Sequence, residues 1–367
     1  MAQRQALVTV RPEGLYCPAG DFYIDPWRPV ARAVITHAHA DHARRGHAAY
    51  LAHEHCAPLL RARLGEDLAV QPLRYGEALT IGAVRVSLHP AGHVLGSAQV
   101  RLAHRGEVWV VSGDYKLDAD GVSAPFEPVR CHTFITESTF GLPIYRWPDP
   151  NEELARLLSW WRGHAEAGRV SVVYAYGLGK AQRLLAALAR AGSALPGPIL
   201  VHPAVEPLNA VHRALGVALA PTQPLTAATG RAQAAGALVL APPAAQGGRA
   251  LRRLGEQADA HVSGWMLVRG QRRRRGVDAG FVLSDHADWP ALLRAIEASG
   301  AGCVRVTHGH VMPLVRHLQE QGLEAQPLAT AFGGDEAGDD AALPAAAPAP
   351  GAAPAQAVEG EPEEAAA

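Results

Sequence analysis

Four potential metal ligands stand within six residues, His37-Ala38-His39-Ala40-Asp41-His42. This cluster constrains the fold more than any other stretch of the chain. Imidazoles and a carboxylate at this density bind a divalent cation well, but only on a rigid support. The apolar run Ala33-Val34-Ile35-Thr36 just before it reads as a buried strand, which sets the cluster on the loop at that strand's end. The alternative is a chance group of solvated histidines, and the mixed donor set argues against it.

Further ligands stand in similar settings. His93 lies in Ala91-Gly92-His93-Val94-Leu95-Gly96-Ser97, and Asp114 follows the apolar run Val108-Trp109-Val110-Val111. His308 follows Val304-Arg305-Val306. Both runs read as short strands, so the ligands would gather on loops at one edge of a sheet. His37, His39 and His93 would complete one site, and Asp41, His42 and His308 a second. Asp114, with two carboxylate oxygens, would bridge them.

This ordered spacing resembles the metallo-β-lactamase superfamily. Asp25, in Tyr23-Ile24-Asp25-Pro26, matches its first motif, an acid that supports the metal loop. The hexapeptide, His93 and Asp114 match the second, third and fourth. Glu137 (Thr136-Glu137-Ser138), His286 (Ser284-Asp285-His286-Ala287-Asp288) and His308 follow in the order of motifs A, B and C of the β-CASP branch. His310 competes with His308 for motif C, but the motif places its His directly before Gly, which selects His308.

The branch consists of nucleic-acid nucleases. The phrases Gly14-Leu15-Tyr16-Cys17-Pro18-Ala19-Gly20-Asp21, Asp25-Pro26-Trp27-Arg28-Pro29 and Phe140-Gly141-Leu142-Pro143-Ile144-Tyr145-Arg146-Trp147-Pro148 are similar to bacterial ligase-associated DNA exonucleases. The resemblance covers roughly residues 5 to 332. It implies two divalent ions, zinc or manganese, held by His37, His39, Asp41, His42, His93, Asp114 and His308. It also implies Asp41 as the group orienting the nucleophile, His286 as general acid or oxyanion stabiliser, and Glu137 as the partner that orients His286.

Composition is compatible with this reading. The net charge of −1 hides an asymmetry: 34 basic residues face 35 acidic ones, and eight of those acids lie in residues 335–367. Without them the balance is +7, a sign that favours a polyanionic partner. The segment 335–367 is rich in Ala and Pro and poor in large apolar residues, so it is expected to be disordered. Cys17, Cys56, Cys131 and Cys303 are scattered, with no CxxC pair, as expected in a reducing compartment. No apolar leader or membrane-length run is present, and the expected location is the cytoplasm.

The middle of the chain reads as an inserted α/β unit. Asp149-Pro150-Asn151-Glu152 predicts a helix start, with Asp149 as N-cap and Glu152 as the capping-box acid. Leu154, Leu157, Leu158 and Trp161 would face inward, and the helix would stop near Gly168. Val170–Tyr174 reads as a strand, and a helix carrying Leu184, Leu185 and Leu188 would follow. Further strands are expected at Ile199-Leu200-Val201 and Ala237-Leu238-Val239-Leu240.

Gly177-Leu178-Gly179-Lys180 lacks the first Gly and the Ser or Thr of a phosphate loop, with Tyr174 and Ala181 there instead. Lys180 is either a phosphate contact at a helix start or a surface residue. The run Arg272-Arg273-Arg274-Arg275 is either a phosphate contact or a solvated face.

The expected fold is therefore α/β, a metallo-β-lactamase αβ/βα four-layer sandwich. Residues 1–142 and 281–334 would form the catalytic domain, with 143–280 as a β-CASP insertion domain capping it and 335–367 as a disordered tail. The expected function is a two-metal DNA exonuclease in repair, acting on DNA alongside a DNA ligase and a helicase, with no membrane partner. The alternatives are an RNA-processing nuclease of the same branch and an inactive nucleic-acid-binding module.

Overall fold

The computed structural model describes residues 6–192 and 195–332, without the side chain of Arg272. The acidic segment 335–367, expected to be disordered, lies outside the described residues.

Two sheets are built from alternating strands whose apolar residues meet. The first runs in chain order through Thr9–Arg11, Gly14–Cys17, Phe22–Ile24, Arg32–Val34, Ala49–His53 and Val70–Leu73. The second has seven strands, ordered Glu324–Pro327, Cys303–Gly309, Thr133–Ser138, Glu107–Val111, Ala98–His104, Val84–Pro90 and Ala78–Ile81. Leu15, Ile24, Val34 and Leu51 of the first share one core with Val86, Leu88, Val100 and Ile135 of the second.

Helices cover both outer faces. Helix Cys56–Leu64 packs Leu59 and Leu60 against Ala33 and Tyr50 of the first sheet and Ile35 just beyond its fourth strand. Helices Trp289–Ser299 and Val311–Glu320 pack Ile296, Leu314 and Leu318 against Val110, Phe134 and Val304 of the second. The result is a helix–sheet–sheet–helix stack. Each sheet edge buries one face and leaves its loops to carry polar residues.

A third sheet comes from the middle of the chain. Its order is Gln223–Pro224, Ile199–Val201, Leu238–Ala241, Val170–Tyr174, Gln257–Val262 and Ala279–Phe281, and every pairing is parallel. Parallel neighbours need crossover connections, and helices covering both faces bury the strands between them. All five residues of Val170–Tyr174 are accordingly buried. Helices Pro150–Glu166 and Lys180–Arg190 pack Leu157, Trp161, Leu184, Leu185 and Leu188 on one face, while Leu251 and Leu254 pack on the other.

The helix start at Asp149 differs from expectation in one respect. The Asp149 side chain accepts a hydrogen bond from Asn151 N at 2.7 Å, as an N-cap should. Glu152 is exposed, and the neighbouring Glu153 is the buried acid, its Oε2 accepting from Val282 N at 2.7 Å. The carboxylate thus ties the helix to the segment leading into His286 instead of closing its own first turn.

Candidate metal centre and its supports

The hexapeptide is held from beneath by Asp25. Its Oδ1 accepts from Thr36 N at 2.7 Å, and its Oδ2 from Thr36 Oγ1 at 2.5 Å. The same Oδ2 lies 2.7 Å from His42 Nδ1. Asp25 adopts a positive φ of 43°, a conformation that costs energy for a residue with a side chain and persists where surrounding contacts fix it. Opposite it, Gly113 has φ 57°, and a Cβ there would lie 2.7 Å from Thr36, so the turn that delivers Asp114 needs glycine.

Six of the seven expected ligands converge. Ligand atoms of His37, His39, His93 and Asp114 lie within 4.8 Å of one another, and so do those of His42, Asp114 and His308. Asp114 belongs to both groups. Its Oδ2 is 3.6 Å from His37 Nε2 and 3.5 Å from His42 Nε2, while its Oδ1 is 3.1 Å from His308 Nε2. Asp41, expected in the second site, lies outside both groups, its Oδ2 3.7 Å from His42 Nε2. His308 sits within the strand Cys303–Gly309 and not on the loop beyond it. His310, the competing histidine, lies outside both groups, its ring stacked on Tyr145.

Apart from His308, whose Nδ1 is buried without a hydrogen bond, the rings are fixed by their other nitrogen. His37 Nδ1 is 3.0 Å from Thr36 Oγ1, His93 Nδ1 is 2.8 Å from Asp285 O, and His39 Nε2 is 3.2 Å from Leu178 O. Such outer partners set the tautomer and aim the free nitrogen inward. The Gly-His-x-x-Gly-Ser wording has a local cause: Ser97 Oγ accepts from both His93 N and Val94 N, closing the turn that presents His93.

The residues fit a divalent cation. His37 Nε2 and His42 Nε2 are buried and carry no hydrogen bond, yet both face Asp114 from beyond hydrogen-bond range. Leaving such atoms unsatisfied is costly, and a shared cation would satisfy them together. Burial opposes charge on His42, but Asp114, Asp41 and Asp25 outweigh it and push its pKa up to about 10. Burial and the neighbouring histidines push His37 and His93 the other way, which keeps those two rings neutral, the form that ligates a cation. Imidazole and carboxylate donors with no thiolate suit zinc or manganese.

Beside this centre, Glu137 Oε2 lies 2.9 Å from His286 Nδ1, and Glu137 Oε1 accepts from Tyr115 N at 2.8 Å. Both side chains are buried, and ligand atoms of Asp114, Glu137 and His286 fall within one 4.8 Å group. Trp147 Nε1 donates to His286 O at 2.9 Å, pinning the backbone of the same histidine.

The segment around residue 180 takes part in a way the sequence did not reveal. Leu178 O holds His39, and Gly179, at φ 91°, leaves no room for a Cβ, which would lie 2.7 Å from Val94 and 2.9 Å from Asp285 Oδ2. Arg183 donates to Ser284 O at 2.6 Å and His93 O at 3.2 Å, and pairs with Asp120 at 2.5 Å. Lys180 is corrected from either expected role: its side chain is only 1% exposed, and its Nζ lies 2.6 Å from Asp285 Oδ1. Buried against Asp285 in this way, Lys180 presents no surface to a phosphate. Asp285 was missed as a supporting residue; its place inside Ser284-Asp285-His286 was the available signal.

The arginine run forms part of helix Arg269–Arg275, in which Arg273 and Arg274 are exposed and Arg275 is half-buried. Cys17, Cys56, Cys131 and Cys303 are free thiols. No helix among the described residues is long and apolar enough to cross a membrane.

No family model matches the chain. Relatives do. A protein of Opitutus terrae named probable DNA ligase is 34% identical over 315 residues, covering 85% of this chain and 30% of that protein. The endoribonuclease ysh-1 of Neurospora crassa is 34% identical over 119 residues, 32% of this chain and 14% of that one. The chain thus spans less than a third of the length of either. A solved structure of a protein of unknown function from Enterococcus faecalis shares the fold, with TM-score 0.55 and 12% identity over 82% of this chain and 80% of the other. The motif residues gather in space as in sequence order, and the relatives named here are consistent with the chain's resemblance to the β-CASP branch of the metallo-β-lactamase-fold proteins.

Proposed function

We propose that the chain is a metal-dependent phosphodiesterase that trims DNA from an end, an exonuclease working alongside a DNA ligase and a helicase. The observation that carries the phosphodiesterase reading is Asp114 shared between two buried ligand groups, with the Glu137–His286 pair against it. Two ions held by His37, His39, His93 and Asp114 on one side and by Asp41, His42, Asp114 and His308 on the other would supply Lewis acidity and lower the pKa of water.

The chain's own groups do the rest. Asp41, less buried than the histidines, accepts a hydrogen bond from the attacking water and turns its lone pair toward phosphorus. Glu137 accepts the Nδ1 proton of His286, which fixes the tautomer and raises the ring's affinity for a proton at Nε2. That proton serves the departing oxygen. Burial of the surrounding rings excludes bulk water and strengthens each of these interactions.

The DNA reading is supported by the long match to a protein named as a ligase, while the +7 balance outside the acidic segment suits either nucleic acid. The RNA-processing reading is kept because the Neurospora relative is named an endoribonuclease. End-labelled single-stranded DNA and matched RNA, incubated with Zn²⁺ or Mn²⁺ and with wild type or Asp41→Ala, separate the two. Stepwise shortening of DNA that Asp41→Ala abolishes is the expected result. Cleavage of RNA alone would replace the reading by the RNA one, and cleavage of neither would leave a binding module.

A further inference from the structure

The two ligand groups are supported in different ways. In the first, hydrogen bonds to Thr36, Leu178 and Asp285 fix the rings of His37, His39 and His93. In the second, Asp25 fixes His42, but His308 Nδ1 is buried without a hydrogen bond. Ser138 Oγ donates to His308 O at 2.5 Å, which holds the backbone and not the ring. Phe332 supplies what is missing. Its ring lies flat on His42, with centroids 4.5 Å apart and 13° between planes, and meets His308 edge-on at 5.6 Å and 81°. One phenyl ring thus touches both histidines of the second group.

Phe332 is itself held in place. Beyond strand Glu324–Pro327 the chain continues beside the strand that carries His308: Leu328 N donates to Val306 O at 2.8 Å, and the Thr330 and Thr307 hydroxyls are 2.5 Å apart. Leu328 and Phe332, both half-buried, pack against the core shared by the two sheets. Trp27 meets the Phe332 ring edge-on at 5.6 Å and 85°, and its own Nε1 donates to Pro12 O at 2.8 Å. Trp27 is two residues past Asp25, so one short stretch delivers both the carboxylate that holds His42 and the ring that backs Phe332. Stacked and edge-to-face pairs are the favoured aromatic arrangements, and the negative face of a phenyl ring attracts a ring that carries positive charge. An imidazole that ligates a cation is such a ring.

We propose that Phe332 is a positioning residue for the second ion, holding the rings of His42 and His308 so that their Nε2 atoms meet at Asp114. Those atoms lie 3.5 Å from Asp114 Oδ2 and 3.1 Å from Asp114 Oδ1. Packing does here for His308 what a hydrogen bond does for the other rings. The inference rests on the two-ion centre of the proposed function and not on the bond that centre cleaves, so ion binding tests it whatever the outcome with DNA and RNA.

The test is Zn²⁺ titration of the metal-stripped full chain against a chromophoric chelator, for wild type and for Phe332→Ala, Phe332→Leu and Phe332→Tyr. The step that His308→Ala removes identifies the second ion. Phe332→Ala should weaken that step by about tenfold, because two ring contacts are lost, and should leave the first step unchanged. Phe332→Leu keeps apolar bulk without a flat face and should lose most of the same affinity; it carries the test if Phe332→Ala fails to fold. Phe332→Tyr keeps the ring and should bind as wild type does, a rescue that loss of general packing would not show. Equal weakening of both steps, wild-type binding by Phe332→Leu, or a single binding step in wild type would overturn the assignment.

Discussion

Replacing Lys180 by Met isolates the contribution of one buried charge pair. Lys180 Nζ and Asp285 Oδ1 are 2.6 Å apart, with side chains 1% and 0% exposed. A pair of this geometry on the surface would be worth about 1 kcal/mol or less. Here the loss of one partner leaves the Asp285 carboxylate buried without its lysine, and the expected destabilisation is about 3–5 kcal/mol. Removing both charges, as Lys180→Met/Asp285→Asn, takes away that uncompensated charge and should restore most of the loss. The assay is urea unfolding followed by circular dichroism for wild type, both single variants and the double, with comparable slopes confirming comparable unfolding. A double variant whose loss equals the sum of the singles would refute the argument, because the two groups would then be energetically independent.

Asp25→Ala removes the acceptor for Thr36 and His42, and zinc affinity measured by chelator competition should fall about 10- to 100-fold; unchanged affinity would deny Asp25 its supporting role. Burial pushes the pKa values of His47, His53, His212 and His261 down to about 4. An unfolded chain takes up these protons near pH 6.5, so the folded state loses stability as pH falls from about 6.5 toward 4. The thermal midpoint of the metal-stripped chain should therefore drop between pH 7 and pH 5, and a flat profile would contradict it.

Much of this architecture was legible because short-range rules governed it. Val170–Tyr174 and Ile199–Val201 are strands at the positions their apolar runs marked, and Asp149-Pro150 starts a helix as its capping chemistry requires. Four of the seven candidate ligands stood out because the hexapeptide compresses them into six residues, while His93, Asp114 and His308 were placed by their position after apolar runs or in a Gly-rich turn. Lys180, Arg183 and Asp285 were not legible. Their roles arise from contacts between segments far apart in sequence, and a lysine at a helix start looks the same whether solvent or a buried carboxylate lies beside it. Glu152 and Glu153 show the limit at a finer scale: both suit a first helical turn, and only the packing of Val282 decides which one turns inward.

The hydrogen bonds around the centre also bear on how the chain must fold. His39 is held by Leu178, 139 residues later, Glu137 meets His286 across 149 residues, and His93 meets Asp285 across 192. Closing loops of this size comes at an entropic cost that no local contact repays beforehand. During synthesis the first histidines emerge long before their partners exist. Full-affinity metal uptake should therefore be among the last events of folding, and the rate at which the chain acquires its ions should report the docking of the third sheet.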